Sequence, residues 1–284
     1  MHFVLIFIET HHSMDQSILL ITFLGVFVGL LMGLTGAGGG ILSVPLLVFF
    51  LHLPMAQASP IALCAIAFSA SIGAIIGFKN HVLRYKAAMF MSIFGLILSP
   101  VGLCIAQIIP NKPLIILFSA ILFYTSIKLF HQASNLIKGI IPKEDTPPPC
   151  KLDQSIGKLI WTIPCARSLM FAGAGAGFLS GLLGVGGGFI IVPALKKFTD
   201  LPMKSIVATS LGVLAIVSSG GALVSFASDN LNMTIALPFS FGSLLGLLIG
   251  KGLEKKMTGA RVQQIFSIFT FMVAISLLLK AMHL

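Results

Sequence analysis

The sequence predicts an all-α polytopic membrane protein built of two homologous halves, on three observations. Apolar residues make up 57% of the chain and charged residues 9%, with mean hydropathy +1.05. A water-facing surface needs about a quarter charged residues, so most of this chain faces lipid. The chain also repeats itself at an offset of 148 residues: 15 of the 27 positions from 29 to 55 recur between 177 and 203. Finally, each copy interrupts its first apolar stretch with glycines, as LTGAGGGILSVP at 34–45 and LLGVGGGFIIVP at 182–193.

The elements follow in order. The start, MHFVLIFIETHHSMDQ, lacks a basic region and reads as a poor signal peptide, so the first span is expected from about Ser17. A helical span needs about 20 apolar residues. Apolar segments lie near 17–34, 36–51, 58–78, 87–109 and 113–131. The polar stretch that follows has a charged, proline-rich centre, KEDTPPPCK, and reads as a linker. Five further segments lie near 166–184, 186–199, 205–227, 233–250 and 261–282. The chain thus divides into a first transmembrane repeat at 1–131, a cytoplasmic polar linker at 132–165 and a second repeat at 166–284.

The stretch from 17 to 51 is too long for one crossing and is broken by Gly36, Gly38, Gly39 and Gly40. Read as one crossing with an extension, it gives four spans per half and parallel halves. Read as a hairpin or re-entrant pair, it gives a broken pair plus three spans, and inverted halves. Cytoplasmic loops collect Lys and Arg. The hairpin reading, with the N-terminus outside, places 16 of the 18 basic residues on the cytoplasmic side and leaves only Lys112 and Lys280 opposite. Parallel four-span halves leave 10 on one side and 8 on the other. The charge pattern selects inverted repeats, with the two glycine tips pointing at each other near mid-membrane.

Such tips suit a small anion. Glycine lets the backbone turn tightly and approach a ligand. A helix starting at a tip presents unpaired N–H groups and about half a positive charge. The candidate binding residues are Gly36, Gly38, Gly39, Gly40 and Pro45 in the first half, and Gly184, Gly186, Gly187, Gly188 and Pro193 in the second. Thr209 and Ser210 are secondary candidates, with Ser69, Ser71, Ser218 and Ser219 deeper in the same helices. Gly25, Gly29 and Gly33, and their counterparts Gly173, Gly177 and Gly181, have the spacing of close helix packing.

Other chemistries are disfavoured. Neither glycine run completes G-x-G-x-x-G, since Ile41 and Phe189 stand at the third position. All eight acids fall in loops or at termini, which removes the usual carboxylate proton relay, metal cage and catalytic base. His52, His81 and His131 sit at segment ends. The net charge of +10 reads as a topology signal, not a nucleic-acid surface. Cys64, Cys104, Cys150 and Cys165 fit neither a zinc site nor a disulfide scaffold and read as incidental thiols. No enzyme, cofactor or metal is expected. The partners are the bilayer and a small anionic substrate, with the oligomeric state, a homo-oligomer included, left open.

The paired motifs GLTGAGGGILSVP and GLLGVGGGFIIVP, each trailed by LPM, resemble the sulfite exporter TauE/SafE family of membrane permeases. The resemblance covers nearly the whole chain. It implies a bacterial inner-membrane permease for sulfur-containing anions such as sulfite or organosulfonates. The family's glycine-proline signature falls on the ten residues named above, and its Thr-Ser on Thr209–Ser210. The first half departs there, with Ile61–Ala62 at the aligned positions and Ser59–Pro60 before them. The expectation is an exporter with alternating access around the tips; an anion channel-like pore and a membrane scaffold or permease partner are the alternatives.

Overall fold

The computed structural model describes residues 2–36, 38–138, 148–150, 152–153, 158–159, 161–228, 231–253 and 259–283. These hold ten helices: α1 (His2–Thr35), α2 (Gly38–Phe50), α3 (Met55–Lys79), α4 (Tyr85–Ile108), α5 (Asn111–Ile137), α6 (Ile163–Leu183), α7 (Gly188–Phe198), α8 (Met203–Ala227), α9 (Met233–Leu253) and α10 (Gly259–His283). Eight of them are long and apolar enough to cross a membrane. The short α2 and α7 are the second limbs of the two broken pairs, with 13 and 11 residues. At 1.5 Å per residue they span about 20 and about 16 Å, less than the ~30 Å hydrocarbon core.

Two boundaries differ from expectation. The helix carrying the first span begins at His2, ahead of the apolar window at Ile18–Thr35. At the other end of the half, α5 continues to Ile137, into the stretch read as linker.

The linker also corrects the reading of its cysteines, because Cys150 and Cys165 form a disulfide. Between them β1 (Leu152–Asp153) and β2 (Lys158–Leu159) pair antiparallel and reverse the chain, which closes a 15-residue separation that spacing rules did not flag. Thr162 caps α6 by accepting from the Cys165 N–H at 3.3 Å. Lys143, Lys151, Lys255 and Lys256, part of the charge argument, lie outside the described residues.

Helix directions follow from what the glycines face. Gly25, Gly29 and Gly33 lie against Phe239, Ser243 and Leu247, so α1 and α9 run the same way. Gly173, Gly177 and Gly181 lie against Met91, Gly95 and Ser99, so α6 and α4 do too. On α3, Ser69 bonds Ser243 at 2.6 Å and Gly73 accepts from Lys251 at 2.6 Å, which makes α3 parallel to α9. Gly212 and Gly220 face Ala88 and Leu96, which makes α8 parallel to α4. Gly77 faces Ala208 and Gly221 faces Leu63, so α3 and α8 are antiparallel.

Hence α1, α3 and α9 point one way and α4, α6 and α8 the other. Each helix opposes its counterpart at the 148-residue offset, as inverted halves require. Because α1 and α3 point the same way, α2 must run back between them. α3 and α8 are 61% and 67% buried, against 33–50% for the other spans, so they form the centre. Large apolar side chains such as Phe23, Ile97, Ile108, Leu223 and Phe241 face outward, as a lipid-facing surface demands.

Candidate functional site

The helices need their glycines before any ligand is considered. The stripe on α1 meets a second stripe on α9, where Gly242, Gly246 and Gly250 lie against Thr22, Val26 and Leu30. On the opposite side, Gly102 of α4 lies against Phe178 of α6. These are close packings of small residues, the expected role for Gly25, Gly29, Gly33, Gly173, Gly177 and Gly181.

The tips are built by Gly36 and Gly184. Each ends its helix in the left-handed region, at φ +79° and +71°, and each returns its N–H to the helix, to Met32 and Ser180 at 2.8 Å. Only glycine adopts this conformation at no steric cost. The two halves then diverge. α2 begins at Gly38, with Gly39 helical, whereas Gly186 and Gly187 remain left-handed and α7 begins at Gly188. A side chain at Gly39 would strike Val28 and Met32, and one at Gly187 would strike Ala176. Both glycines therefore also serve packing within their hairpins.

Depth can be read along α3 and α8. Gly36 packs on Val207, the fifth residue of α8, and Gly184 on Ser59, the fifth residue of α3. Each turn thus lies about 6 Å from the start of the helix it touches, at opposite ends of the bundle. The limbs cross between them. A methyl group at Gly40 would approach the Val185 carbonyl oxygen to 3.0 Å and Ile66 to 3.3 Å. One at Gly186 would reach Ile66 at 3.1 Å and the Ser218 hydroxyl at 3.0 Å, beside Leu214. Ile66 and Leu214 are each the twelfth of 25 residues, the middle of their helices. The hairpins do not meet end to end at mid-depth: their turns overshoot, and Gly40, Val185 and Gly186 pass one another there.

The hydroxyls divide into two groups. Thr209 accepts from the Arg84 N–H at 3.1 Å, holding the α3–α4 loop, and Ser210 donates to Val207 at 2.8 Å and to Gly36 at 3.3 Å. The Ser210 proton is already committed. Ser59 donates to the Leu183 carbonyl at 3.3 Å, Ser69 bonds Ser243, and Ser71 donates to Ala67 at 2.7 Å. In contrast, the Ser180 and Ser218 hydroxyls are fully buried and have no hydrogen-bond partner among the described residues. Ser218 was a secondary candidate from sequence, Ser180 was missed, and Ser59 was seen only as a departure between the halves. Pro45 is buried inside α2 and Pro193 half-buried inside α7. Lacking N–H groups, they leave the Ile41 and Phe189 carbonyls without their helical donors. No group of three or more His, Cys, Asp or Glu that could hold a metal occurs among the described residues.

The comparisons with known proteins agree with a membrane chain. The family described as Sulfite exporter TauE/SafE matches residues 21–277. A probable membrane transporter protein of Methanocaldococcus jannaschii is 28% identical over 84% of this chain and 88% of its own length. One from Xylella fastidiosa is 27% identical over 92% and 94%. The probable membrane transporter protein YunE of Bacillus subtilis is 25% identical over 93% and 98%. No solved structure matches this chain.

Proposed function

Because the chain belongs to the sulfite exporter TauE/SafE family, we propose that it is a secondary transporter that exports a small anion, sulfite or an organosulfonate. The anion binds where the two hairpins cross, and the halves rock around it to give alternating access. The membrane is a bacterial inner membrane, as the family resemblance implies, and the distribution of Lys and Arg favours the N-terminus outside and the linker in the cytoplasm.

The observation that carries this reading is Ser218. Its hydroxyl is 0% exposed, has no partner among the described residues, and lies beside Gly186, one turn beyond Leu214 on α8. An unsatisfied buried hydroxyl costs about 1–3 kcal/mol. An anion accepting its proton would recover that cost. Gly186 brings no side chain between such an anion and the Ser218 hydroxyl, and α7 directs its positive end toward the same place. Outward movement of one negative charge from an inside-negative cell is favoured by about 2.3 kcal/mol per 100 mV, so no carboxylate relay is required.

The test is efflux of radiolabelled sulfite from proteoliposomes at a set membrane potential, with organosulfonates as competitors. Saturable efflux is expected. Ser218→Ala should lower kcat/KM about tenfold or more, since hydrogen bonds to charged groups contribute about 1.5–3 kcal/mol. The same substitution removes an unsatisfied polar group, so thermal stability should hold or rise. Substitutions at Gly39 or Gly187 cannot serve, because a side chain there strikes the hairpin's other limb. Absence of flux for sulfite and for every competitor would overturn the proposal.

A further inference from the structure

We infer that the Cys150–Cys165 disulfide is a thiol-reversible clasp on the second hairpin, exchanging with a cellular dithiol. The bond joins the linker to the first turn of α6. Cys150 also reaches α7: its N–H donates to the Phe198 carbonyl at 3.0 Å, and it bridges Thr199. Its partner segment is tied down as well, since the Thr162 hydroxyl donates to the Pro149 carbonyl at 3.0 Å. Both cysteines are fully buried, in one apolar cluster with Leu159, Leu169, Ile191 and Leu195. The covalent bond therefore fastens the linker to the start of α6, and the backbone pairing of Cys150 fastens the end of α7 to both. The hairpin it clamps is the one that carries Gly186 and Gly187. The first hairpin has a different fastening: the Lys280 ammonium donates to the Val48 carbonyl at 2.7 Å.

The location makes the bond unusual. Cys150 of the linker bonds Phe198 at the end of α7, and Thr209 in the second turn of the following helix α8 accepts from Arg84, which puts the linker on the same side as the base-rich α3–α4 loop. The inference rests on reading that side as cytoplasmic. Cytosolic thiols are kept reduced, and disulfides there are transient, catalytic or redox-sensing. In the exchange, a dithiol thiolate attacks one sulfur and the Sγ–Sγ bond breaks. The second dithiol sulfur then resolves the mixed disulfide. Two electrons and two protons end on Cys150 and Cys165, and the dithiol departs as its own disulfide. The reverse exchange re-forms the clasp. Since the sulfurs are buried, attack proceeds through local opening at Cys150, where its hydrogen bond to Phe198 is released.

Hydrogen exchange of the full-length protein in proteoliposomes, before and after dithiothreitol, tests the clasp without reference to transport. Reduction should speed exchange at Cys150 and at Leu195–Thr199 at least tenfold, with the α3 centre unchanged. Cys150→Ser/Cys165→Ser should show the fast pattern under both conditions. Identical exchange in the oxidised and reduced protein would overturn the inference. Thiol trapping with a maleimide polymer in growing cells tests the exchange itself. The oxidised fraction should rise with diamide and fall with dithiothreitol. A bond that stays wholly oxidised throughout would make it a fixed staple. Reduction by an impermeant phosphine added to intact cells would place the linker outside, and would overturn the sidedness while leaving the exchange result to stand on its own.

Discussion

Ser210 and Gly36 lie 174 residues apart, yet the Ser210 hydroxyl donates to the Gly36 carbonyl at 3.3 Å, at the tip of the first hairpin. The relation is reciprocal: Ser59 of the first half donates to the Leu183 carbonyl at 3.3 Å, beside the second tip. Each hairpin is thus held at its turn by a central helix of the opposite half. These bonds couple the halves at the two places that a rocking motion must separate or carry along.

Ser59→Ala should therefore loosen the second tip. The expected loss is about 1 kcal/mol, the usual net value of a neutral hydrogen bond, read as a lowered Tm in detergent. Ser210→Ala should cost less, because its hydroxyl also bonds Val207 in its own helix at 2.8 Å. Equal stability of Ser59→Ala and the unaltered protein would remove the cross-clasp from the account.

Glycine substitutions should separate by what each residue faces. Gly29→Leu and Gly177→Leu would drive side chains into the Ser243 and Gly95 backbones. Both variants should fail to give a monodisperse protein on size-exclusion chromatography. Gly175 has open space around it, within α6. Gly175→Ala should raise Tm, since Ala is favoured over Gly in a helix by about 0.5–1 kcal/mol.

Lys280 caps the end of α2 through Val48. A cation at a helix C-terminus contributes about 0.3–1 kcal/mol. Lys280→Met should lower Tm by a corresponding few degrees or less. Lys112→Met, at the start of α5, should leave it unchanged, which differential scanning fluorimetry can resolve.

Sidedness can be read by single cysteines in a cysteine-free background. Probes at His81 and Lys204 should label together, because Arg84, at the end of the α3–α4 loop, bonds Thr209 in the second turn of α8. Probes at His52 and Lys112 should label from the outer face of intact cells. Outer-face labelling at His81 would reverse the orientation argued from charge.

Much of the fold was legible because it is written locally. Hydropathy over some 20 residues marks spans, glycine runs mark breaks, and Lys and Arg mark one face. The 148-residue repeat marked two halves, the distribution of Lys and Arg selected inverted ones, and the opposed directions of α1 and α6 agree with that choice. Gly25, Gly29 and Gly33 could be assigned to packing from spacing alone, although the stripe on α9 that receives them was not foreseen. The candidate site was legible only in part. The glycines were found, but Gly36 and Gly184 serve the turns, Gly39 and Gly187 serve hairpin packing, and Thr209 and Ser210 are engaged in fastening loops and tips.

What the sequence by itself determined is a membrane chain of two opposed halves, each opening with a broken helix pair. Tertiary structure alone decided that the hairpins overshoot and cross at Gly40, Val185 and Gly186, that Ser218 is buried with no partner among the described residues, and that Cys150 closes on Cys165. The physical reason is that hydropathy, charge and helix breaking are properties of neighbouring residues. Hydrogen-bond satisfaction and depth depend on which distant segments pack together, here residues as far apart as 124 and 174 positions.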